Sequence, residues 1–393
     1  MTVSTLRMPR KIHYGKNAFN TLGEEAEYLG KKGLIVSDSV MDKLGNIKKC
    51  EVALKEKNVQ SVTYLGIESE PTDKYIEEAL ELFKTEDCQF IIALGGGSCI
   101  DTAKGVAVLA SNGRNISDYM NNKSIASKDP VPLIAIPTTS GTGSEVTDVT
   151  TITNTQNDVK MMIKQTAFLP YIAIVDPDLS RSSPKNTTSA TGIDALTHAI
   201  EAYISKLAHP FTDMLALSAC KTILSYIKDA YENGDNLQAR EEMAYAAMQA
   251  GMAFSDSSVC LVHGMSRPIG ALFKVPHGIS NAMLMPAIME YNRDACIEEL
   301  AEIAEYSFDG LQTHSSAEKA DYLIKEIKQL CSALNIPNLK EWGIDKKEFE
   351  ESLSKMAKDA IDSGSPGNNP KVPTEEEIIT LYRKCYDYSF INS

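Results

Sequence analysis

The sequence predicts an α/β domain with a parallel sheet over residues 1–180, followed by an all-helical domain over residues 181–393. In the first part, short apolar runs alternate with amphipathic helical patterns, and this alternation indicates parallel βαβ units. From about residue 185 onwards, apolar residues recur at helical spacing and no stretch is typical of a strand. We place the boundary near residue 180, after Asp176-Pro177.

Each element follows from a local pattern. The predicted strands are 33–37, 62–65, 90–94, 132–137 and 171–175, with a β-hairpin over 148–163. The predicted helices of the first domain are 40–57, 72–83 and 99–110, with Thr72 as the N-cap of the second. The predicted helices of the second domain are 185–205, 210–231, 237–272, 279–291, 296–306, 315–334, 346–362 and 374–386.

Composition narrows the function classes. The formal net charge of −14, from 39 basic and 53 acidic residues, argues against nucleic acid or anionic membranes as partners. No apolar run reaches the roughly 20 residues of a membrane helix, and the N-terminus has no apolar signal core. The 8 cysteines form no Cys-x-x-Cys pair, which favours reduced thiols. We therefore expect a soluble cytoplasmic protein.

Three glycines lie directly between a buried strand and a helix, in Gly95-Gly96-Gly97-Ser98. Glycine lets the backbone approach phosphate oxygens, and the start of the following helix stabilises an anion. The loop matches neither Gly-x-Gly-x-x-Gly nor a Walker A motif. A phosphate site and a tight strand–helix turn both remain open.

Asp38 ends the first predicted strand, where a doubly wound sheet presents side chains to a ligand. A carboxylate there can accept both ribose hydroxyls and repels a 2′-phosphate, which favours NAD over NADP. The alternative is that Asp38 caps the following helix.

A second unusual loop, Pro137-Thr-Thr-Ser-Gly-Thr-Gly-Ser-Glu145, carries four hydroxyls and two glycines after a strand. Such a loop can hydrogen-bond a phosphate or an amide. A plain hydroxyl-rich turn is the alternative.

Asp194 and His198 are four residues apart in a helical run, so they share one face within reach of one divalent cation. His263 lies late in an apolar helical stretch, and His277 lies in a turn before the next helix. One oxygen and three nitrogen ligands suit Fe(II), Zn(II) or another divalent ion. Any one of these histidines could equally be a core or surface residue.

Four motifs occur in order along nearly the whole chain: Gly95–Ser98, Pro137–Glu145, Thr191-Gly-Ile-Asp-Ala-Leu-Thr-His198 and His263…Pro276-His-Gly278. Together they resemble the iron-containing (group III) alcohol dehydrogenases. The resemblance implies that residues 1–180 form a dinucleotide-binding domain and residues 181–393 a metal-binding catalytic domain. It also implies an NAD(H)-linked enzyme with Fe2+, or Zn2+ or another divalent ion, in a homodimer or higher homo-oligomer. It implies metal ligation by Asp194, His198, His263 and His277. The cofactor contacts that it implies are Asp38, Gly95, Gly96, Gly97, Ser98, Asp101, Thr138, Thr139, Lys160 and Leu179.

One departure from the family pattern bears on the substrate. Many members have a histidine four residues after the third metal ligand, whereas this chain has Arg267, which cannot act as a general base. A buried guanidinium needs an anionic partner. We therefore expect a short-chain aldehyde or alcohol substrate with an anionic tail, such as sulfoacetaldehyde/isethionate or phosphonoacetaldehyde. Alternatively, Arg267 pairs with a protein carboxylate or with the cofactor's phosphates.

The predicted reaction is hydride transfer between nicotinamide and an aldehyde/alcohol pair, with the metal as Lewis acid. A general primary alcohol dehydrogenase or 1,3-propanediol dehydrogenase is the main alternative. A dehydroquinate synthase-like lyase, a glycerol dehydrogenase-like enzyme and a non-catalytic nucleotide-binding protein are further alternatives.

Overall fold

A computed structural model of the chain describes residues 3–157 and 159–391. The chain divides into two compact units. The first unit is Arg7–Ser183, and the second begins at Pro184 and takes in the residues before Arg7. The domain boundary predicted from the sequence lies close to this division.

The first unit is built on a six-stranded parallel sheet with the order β1-β8-β5-β4-β2-β3. Its strands are β1 (Lys11–Tyr14), β2 (Lys32–Asp38), β3 (Gln60–Ile67), β4 (Phe90–Gly95), β5 (Leu133–Pro137) and β8 (Ile172–Val175). A separate antiparallel hairpin pairs β6 (Val149–Asn154) with β7 (Val159–Lys164). The helices are α1 (Leu22–Leu29), α2 (Ser39–Lys43), α3 (Asn46–Glu56), α4 (Asp73–Thr85) and α5 (Gly97–Asn112).

Both faces of this sheet are covered, which explains why its central strands are continuously apolar. In β4, Ile91 and Ala93 pack into one core cluster, while Ile92 and Leu94 pack into the other. Parallel strands buried on both faces have this composition. The predicted α/β fold class of the N-terminal part is confirmed.

Two differences from the predicted elements have local causes. Strand β1 is an edge strand whose sequence, Lys-Ile-His-Tyr, is only half-buried, so it lacks the apolar run that identifies the other strands. The predicted helix over 40–57 is two helices, because Gly45 adopts a left-handed conformation with φ of 75° between them. Thr72 caps α4 as predicted, accepting a hydrogen bond from the Tyr75 N–H.

The described residues of the second unit form helices joined by turns and loops, with no strand among them, which confirms the predicted class. Its helices are α6 (Lys185–Ile204), α7 (Pro210–Glu232), α8 (Leu237–Ser257), α9 (Leu261–Phe273), α10 (His277–Asn292), α11 (Ile297–Ser307), α12 (Ser316–Ala333), α13 (Lys346–Asp362) and α14 (Glu375–Tyr386). Across the described part of the chain, no helix has the length and apolar character needed to cross a membrane.

The predicted helix over 237–272 is wrong, because it is interrupted between α8 and α9. Ser258 has a φ of 68°, a left-handed conformation that ends α8. Neither glycine nor proline stands at this break, and Pro268 lies inside α9 without ending it. The usual helix-breaking residues therefore give no signal here.

A buried lysine ties α5 to the hairpin of the first unit. The Lys104 Nζ donates hydrogen bonds to the Val149 carbonyl at 2.6 Å and to the Thr147 hydroxyl at 3.0 Å. Burial lowers the pKa of Lys104 to about 8, against the opposing effect of the nearby carboxylates of Asp101, Asp148 and Glu145. The folded state therefore gives up this proton at a lower pH than the unfolded chain.

This difference predicts a pH-dependent stability. Between pH 8 and the ordinary lysine value of 10.5, the unfolded state binds the proton that the folded state has lost, so folding becomes more favourable as pH rises. From about pH 8 to about pH 9.5, wild type should gain roughly 2 kcal/mol in free energy of unfolding relative to Lys104→Met. Urea unfolding followed by circular dichroism measures the gain.

The control is Lys74→Met, which alters an exposed lysine on α4 of the same unit. Its free energy of unfolding should change with pH by the same amount as that of wild type over this range. If the unfolding free energies of Lys104→Met and wild type also changed equally with pH, Lys104 would have its ordinary pKa in the folded protein.

Candidate metal centre and nucleotide-binding loop

Helix α6 places a carboxylate and an imidazole on one buried face. Asp194 and His198 are 1% and 4% exposed, one helical turn apart. This is the arrangement that their spacing predicts. The ring of His198 stacks between two others, with centroid distances of 4.1 Å to Phe254 and 4.4 Å to His263.

Helices α9 and α10 bring two further histidines to Asp194. The ligand atoms of Asp194, His263 and His277 all lie within 4.8 Å of one another. The Oδ1 of Asp194 is 3.5 Å from the His263 Nε2 and 3.9 Å from the His277 Nε2. Residues far apart in sequence thus converge on one carboxylate.

The electrostatics of this group favour an ionised Asp194. Burial alone would raise the pKa of Asp194, but His198, His277 and His263 hold it well below its usual range. Burial would likewise lower the pKa of His263, but Asp194 and Glu201 outweigh it, and the pKa is raised. A negative charge surrounded by imidazole nitrogens is an environment suited to a cation.

The donor atoms fit a divalent metal ion. The His263 Nε2 is buried and has no hydrogen-bond partner among the described residues, although it lies near the Asp194 carboxylate. A buried ring nitrogen without a partner is costly unless something binds it. Imidazole nitrogen together with carboxylate oxygen is a donor set typical of Zn(II) and Fe(II).

Two residues of this site were not identified from the sequence. Glu201, on α6, accepts a hydrogen bond from the His263 Nδ1 at 2.7 Å, and Asn281, on α10, donates one to the Asp194 Oδ1 at 2.6 Å. Each lies on the same helical face as a predicted ligand: Glu201 is three residues after His198, and Asn281 is four after His277. Extending the helical spacing from the predicted ligands would have found both.

Close packing against the backbone of α6 explains why a glycine, Gly278, follows His277. A Cβ at this position would lie 2.7 Å from the carbonyl oxygen of Ala190, a backbone atom of α6. Helix α10 therefore begins in direct contact with α6, and this contact brings His277 towards Asp194, one turn further along α6.

Arg267 is one turn after His263 on α9, as the sequence predicts, and is buried. Its Nη1 donates a hydrogen bond to the Ser365 hydroxyl at 2.8 Å. Burial lowers the pKa of Arg267 to about 10, against the opposing charge of Glu201. The protein itself therefore supplies polar and anionic surroundings for this guanidinium.

The glycine loop of the first unit joins β4 to α5, and neighbouring side chains limit two of its three glycines. A Cβ at Gly95 would meet the Cys99 Sγ at 2.5 Å, and one at Gly97 would meet the Thr142 Cγ2 at 2.8 Å. At Gly96 the nearest atoms belong to Thr139, at 3.7 Å. The turn itself limits Gly95, through Cys99 of the following helix, and packing against Thr142 limits Gly97, whereas an added Cβ at Gly96 would make only ordinary contact.

Asp38 caps α2, the alternative that its position left open. Its Oδ1 accepts hydrogen bonds from the Val40 and Met41 N–H groups at 2.8 and 3.0 Å. Its Oδ2 accepts a hydrogen bond from the Cys99 thiol at 3.4 Å, beside the glycine loop. The ribose contact stays a prediction.

Four further residues of the predicted cofactor site contact other parts of the first unit. Asp101 accepts hydrogen bonds from the Ser144 hydroxyl and from the Thr151 N–H at 2.8 Å. Lys160 pairs with Glu70 at 2.8 Å. The Thr138 N–H donates to the Gly95 carbonyl at 3.0 Å, so the hydroxyl-rich loop adjoins the glycine loop. Leu179 lies in an apolar core cluster.

The first unit has a glycine-rich loop between a strand and a helix, and the second has a buried group of one carboxylate and several histidines. Together they are typical of enzymes that use a nucleotide cofactor and a metal ion. Comparisons with known proteins identify the family. The family model described as iron-containing alcohol dehydrogenase matches residues 9–177. The model of the C-terminal part of the Fe-containing alcohol dehydrogenase family matches residues 188–386.

Individual relatives agree. The 1,3-propanediol dehydrogenase of Citrobacter freundii is 38% identical over 96% of this chain and 98% of its own. A crystal structure of a 1,3-propanediol oxidoreductase has a TM-score of 0.94 at 36% identity, over 98% of this chain and 100% of the other. The sulfoacetaldehyde reductase of Bifidobacterium kashiwanohense, solved with NAD+, has a TM-score of 0.88 at 26% identity, over 99% and 100% of the two chains.

The chain belongs to the iron-containing alcohol dehydrogenase family. The predicted family, fold class and enzyme class are thereby confirmed: the protein is an oxidoreductase that uses NAD(H) and a divalent metal ion. This membership also decides against the lyase and the non-catalytic alternatives.

Gly278 gives a test of how the metal centre is assembled. In Gly278→Ala the new methyl group must push α10 away from α6, and His277 should move away from Asp194. A displacement of about 1 Å at a catalytic group can cost roughly a hundredfold in rate. We expect turnover to fall on this scale and bound metal, measured by elemental analysis, to fall with it.

Gly367→Ala is the matched control, since no atom lies within 4 Å of the added Cβ. It should retain both metal and turnover. Wild-type metal content in Gly278→Ala would show that the close approach of the two helices does not position His277.

Proposed function

We propose that this enzyme catalyses NAD(H)-linked interconversion of a short, uncharged aldehyde and its alcohol, with 1,3-propanediol-type diols and simple primary alcohols as substrates. The single observation that carries the metal-dependent part is the convergence of Asp194, His263 and His277 within 4.8 Å. Asp194, His198, His263 and His277 are the proposed metal ligands.

The chain's own residues perform distinct tasks in this proposal. Asp194 provides the anionic ligand, and Asn281 orients it by donating a hydrogen bond to Oδ1. Phe254 stacks on His198 and limits the rotation of that ring. A divalent ion bound to these residues supplies Lewis-acid polarisation of the substrate's carbon–oxygen bond.

The nucleotide part of the proposal rests on the glycine loop. Gly96 at the start of α5 leaves space for the pyrophosphate, and the helix N-terminus favours its charge. The Asp38 carboxylate is proposed to disfavour a 2′-phosphate, and so to favour NAD over NADP. We further propose a homo-oligomer in the cytoplasm, where the 8 buried free cysteines would remain reduced.

Two observations favour an uncharged substrate. Arg267 donates a hydrogen bond to Ser365 and has the carboxylate of Glu201 as a charged neighbour, so groups within the helical unit already interact with its guanidinium. Two of the similar proteins above are named for 1,3-propanediol. They are 38% and 36% identical to this chain, more than the 26% of the sulfoacetaldehyde reductase.

The second candidate is an aldehyde with an anionic tail, as expected from the sequence. The similarity to a sulfoacetaldehyde reductase favours it, at 26% identity. In this candidate, Arg267 would bind the anionic group.

The metal role predicts the behaviour of Asp194→Ala. Removing the only carboxylate among the four proposed ligands should abolish turnover and bound iron, while the far-ultraviolet circular dichroism stays unchanged. Asp294→Ala, which removes a carboxylate that is 86% exposed, is the control and should keep both. Full activity of a metal-free preparation would contradict the proposal.

The substrate class is tested by NADH oxidation with iron-reconstituted enzyme and a panel of aldehydes: propanal, 3-hydroxypropanal, succinic semialdehyde, sulfoacetaldehyde and phosphonoacetaldehyde. We expect the first two to give the higher kcat/KM. In Arg267→Ala, kcat/KM should fall by a similar factor for every aldehyde, because the arginine supports the fold around α9. A preference for one anionic aldehyde, with a loss confined to it in the variant, would instead establish the second candidate.

A further inference from the structure

A second carboxylate is buried on the same helical face as Asp194. Glu201 follows His198 by three residues on α6, and it is completely buried. Its neighbours along the helix, Ile200 and Ala202, are apolar and also buried. A carboxylate in such surroundings is costly unless several donors surround it.

The structure supplies three such donors to Glu201. Its Oε1 accepts a hydrogen bond from the Val262 N–H at 2.6 Å. Its Oε2 accepts from the Cys260 N–H at 2.8 Å and from the His263 Nδ1 at 2.7 Å. The two backbone groups belong to the beginning of α9, so Glu201 joins α6 to the helix that carries His263.

These contacts determine which nitrogen of His263 carries the proton. Both backbone N–H groups can only donate, so both carboxylate oxygens act as acceptors. The third contact is therefore satisfied when the His263 Nδ1 carries hydrogen and donates it to Oε2. The Nε2, which lies 3.5 Å from the Asp194 Oδ1, then presents its lone pair to the proposed metal position.

We propose that Glu201 is a positioning residue that holds the His263 ring in the orientation and tautomer needed for metal binding. The inference rests on the proposed metal site, since a ring nitrogen has to be unprotonated to ligate. Arg267 supports the arrangement, because its positive charge interacts favourably with Glu201 within the same buried region.

A purely structural role would use Glu201 only as a cap for α9. Such a cap needs the two backbone hydrogen bonds and is indifferent to the tautomer of His263. The two roles therefore differ in the state of one imidazole ring, which can be observed directly.

The substitution Glu201→Gln distinguishes the positioning of His263 from a mere capping of α9. A glutamine amide has one oxygen acceptor and one NH2 donor, whereas all three partners of Glu201 need an acceptor. If the glutamine NH2 takes the place of Oε2, it faces His263, whose Nδ1 must then accept a hydrogen bond while its proton lies on Nε2. If it faces Val262, the cap is disrupted and the ring loses its charged partner.

The measurement uses metal-free enzyme with isotopically labelled histidine, of which the chain has 6 residues, at a pH high enough for the His263 ring to be neutral. Nitrogen shifts report the tautomer of His263, assigned by the signal that disappears in His263→Gln. In the neutral ring, wild type should carry hydrogen on Nδ1 alone, whereas Glu201→Gln should add a population with hydrogen on Nε2, because its amide can be placed either way round. Titration with Co2+, followed by its visible absorption, should show affinity reduced roughly 10- to 100-fold in Glu201→Gln.

Glu290→Gln is the matched control. Glu290 lies on α10 and pairs with Lys328 and Lys384, so its loss also removes a multiply bonded carboxylate from the helical unit. It should leave the His263 tautomer and the Co2+ affinity unchanged.

The outcomes separate this inference from the proposed function. If wild type binds no Co2+, the proposed metal site fails. If wild type binds Co2+ and Glu201→Gln binds it equally well, the positioning role is overturned. A wild-type His263 with its proton on Nε2 would also overturn it, and this outcome does not depend on the folding of Glu201→Gln.

Discussion

The helical unit depends on how the negative charge buried on α6 is compensated. Asp194 and Glu201 lie two turns apart on one face of a helix whose other buried residues are mostly small or apolar. Uncompensated carboxylates in this position would oppose folding. His263 contacts both of them, through Nε2 and Nδ1 respectively. Asn281 and the first N–H groups of α9 complete the compensation, so three helices are joined by one set of charges.

The irregular features of this unit follow from the same requirement. The left-handed Ser258 ends α8 and allows a new helix to begin at Leu261, where its free N–H groups meet Glu201. A continuous helix would have used these N–H groups internally. At the start of α10, Gly278 permits backbone contact with Ala190. A helix break and a missing side chain thus place two histidines beside Asp194.

The sequence predicts whatever is encoded by local spacing. The pair Asp194–His198 follows from helical periodicity, and the apolar runs identify the central strands. Strand β1 was missed because an edge strand does not need an apolar run, and the break at Ser258 because tertiary hydrogen bonds, not glycine or proline, produce it. Glu201 was overlooked although its helical spacing was visible, because its partners lie about 60 residues further along the chain. For Asp38 the structure shows the local explanation, a helix cap, whereas in the triple glycine neighbouring side chains limit Gly95 and Gly97 but not Gly96.

Arg267 shows how far a sound physical argument can extend from sequence alone. A buried guanidinium does require polar or anionic surroundings, and the sequence places Arg267 one turn from His263. Which molecule supplies those surroundings depends on long-range contacts: Ser365 comes from a segment 98 residues away, and Glu201 from another helix. Glu201 also accepts a hydrogen bond from the His263 Nδ1, so Arg267 and the proposed metal ligand His263 have the same carboxylate as a neighbour. An arginine at this position therefore does not by itself imply a charged substrate, and its charge can serve the ligand geometry instead.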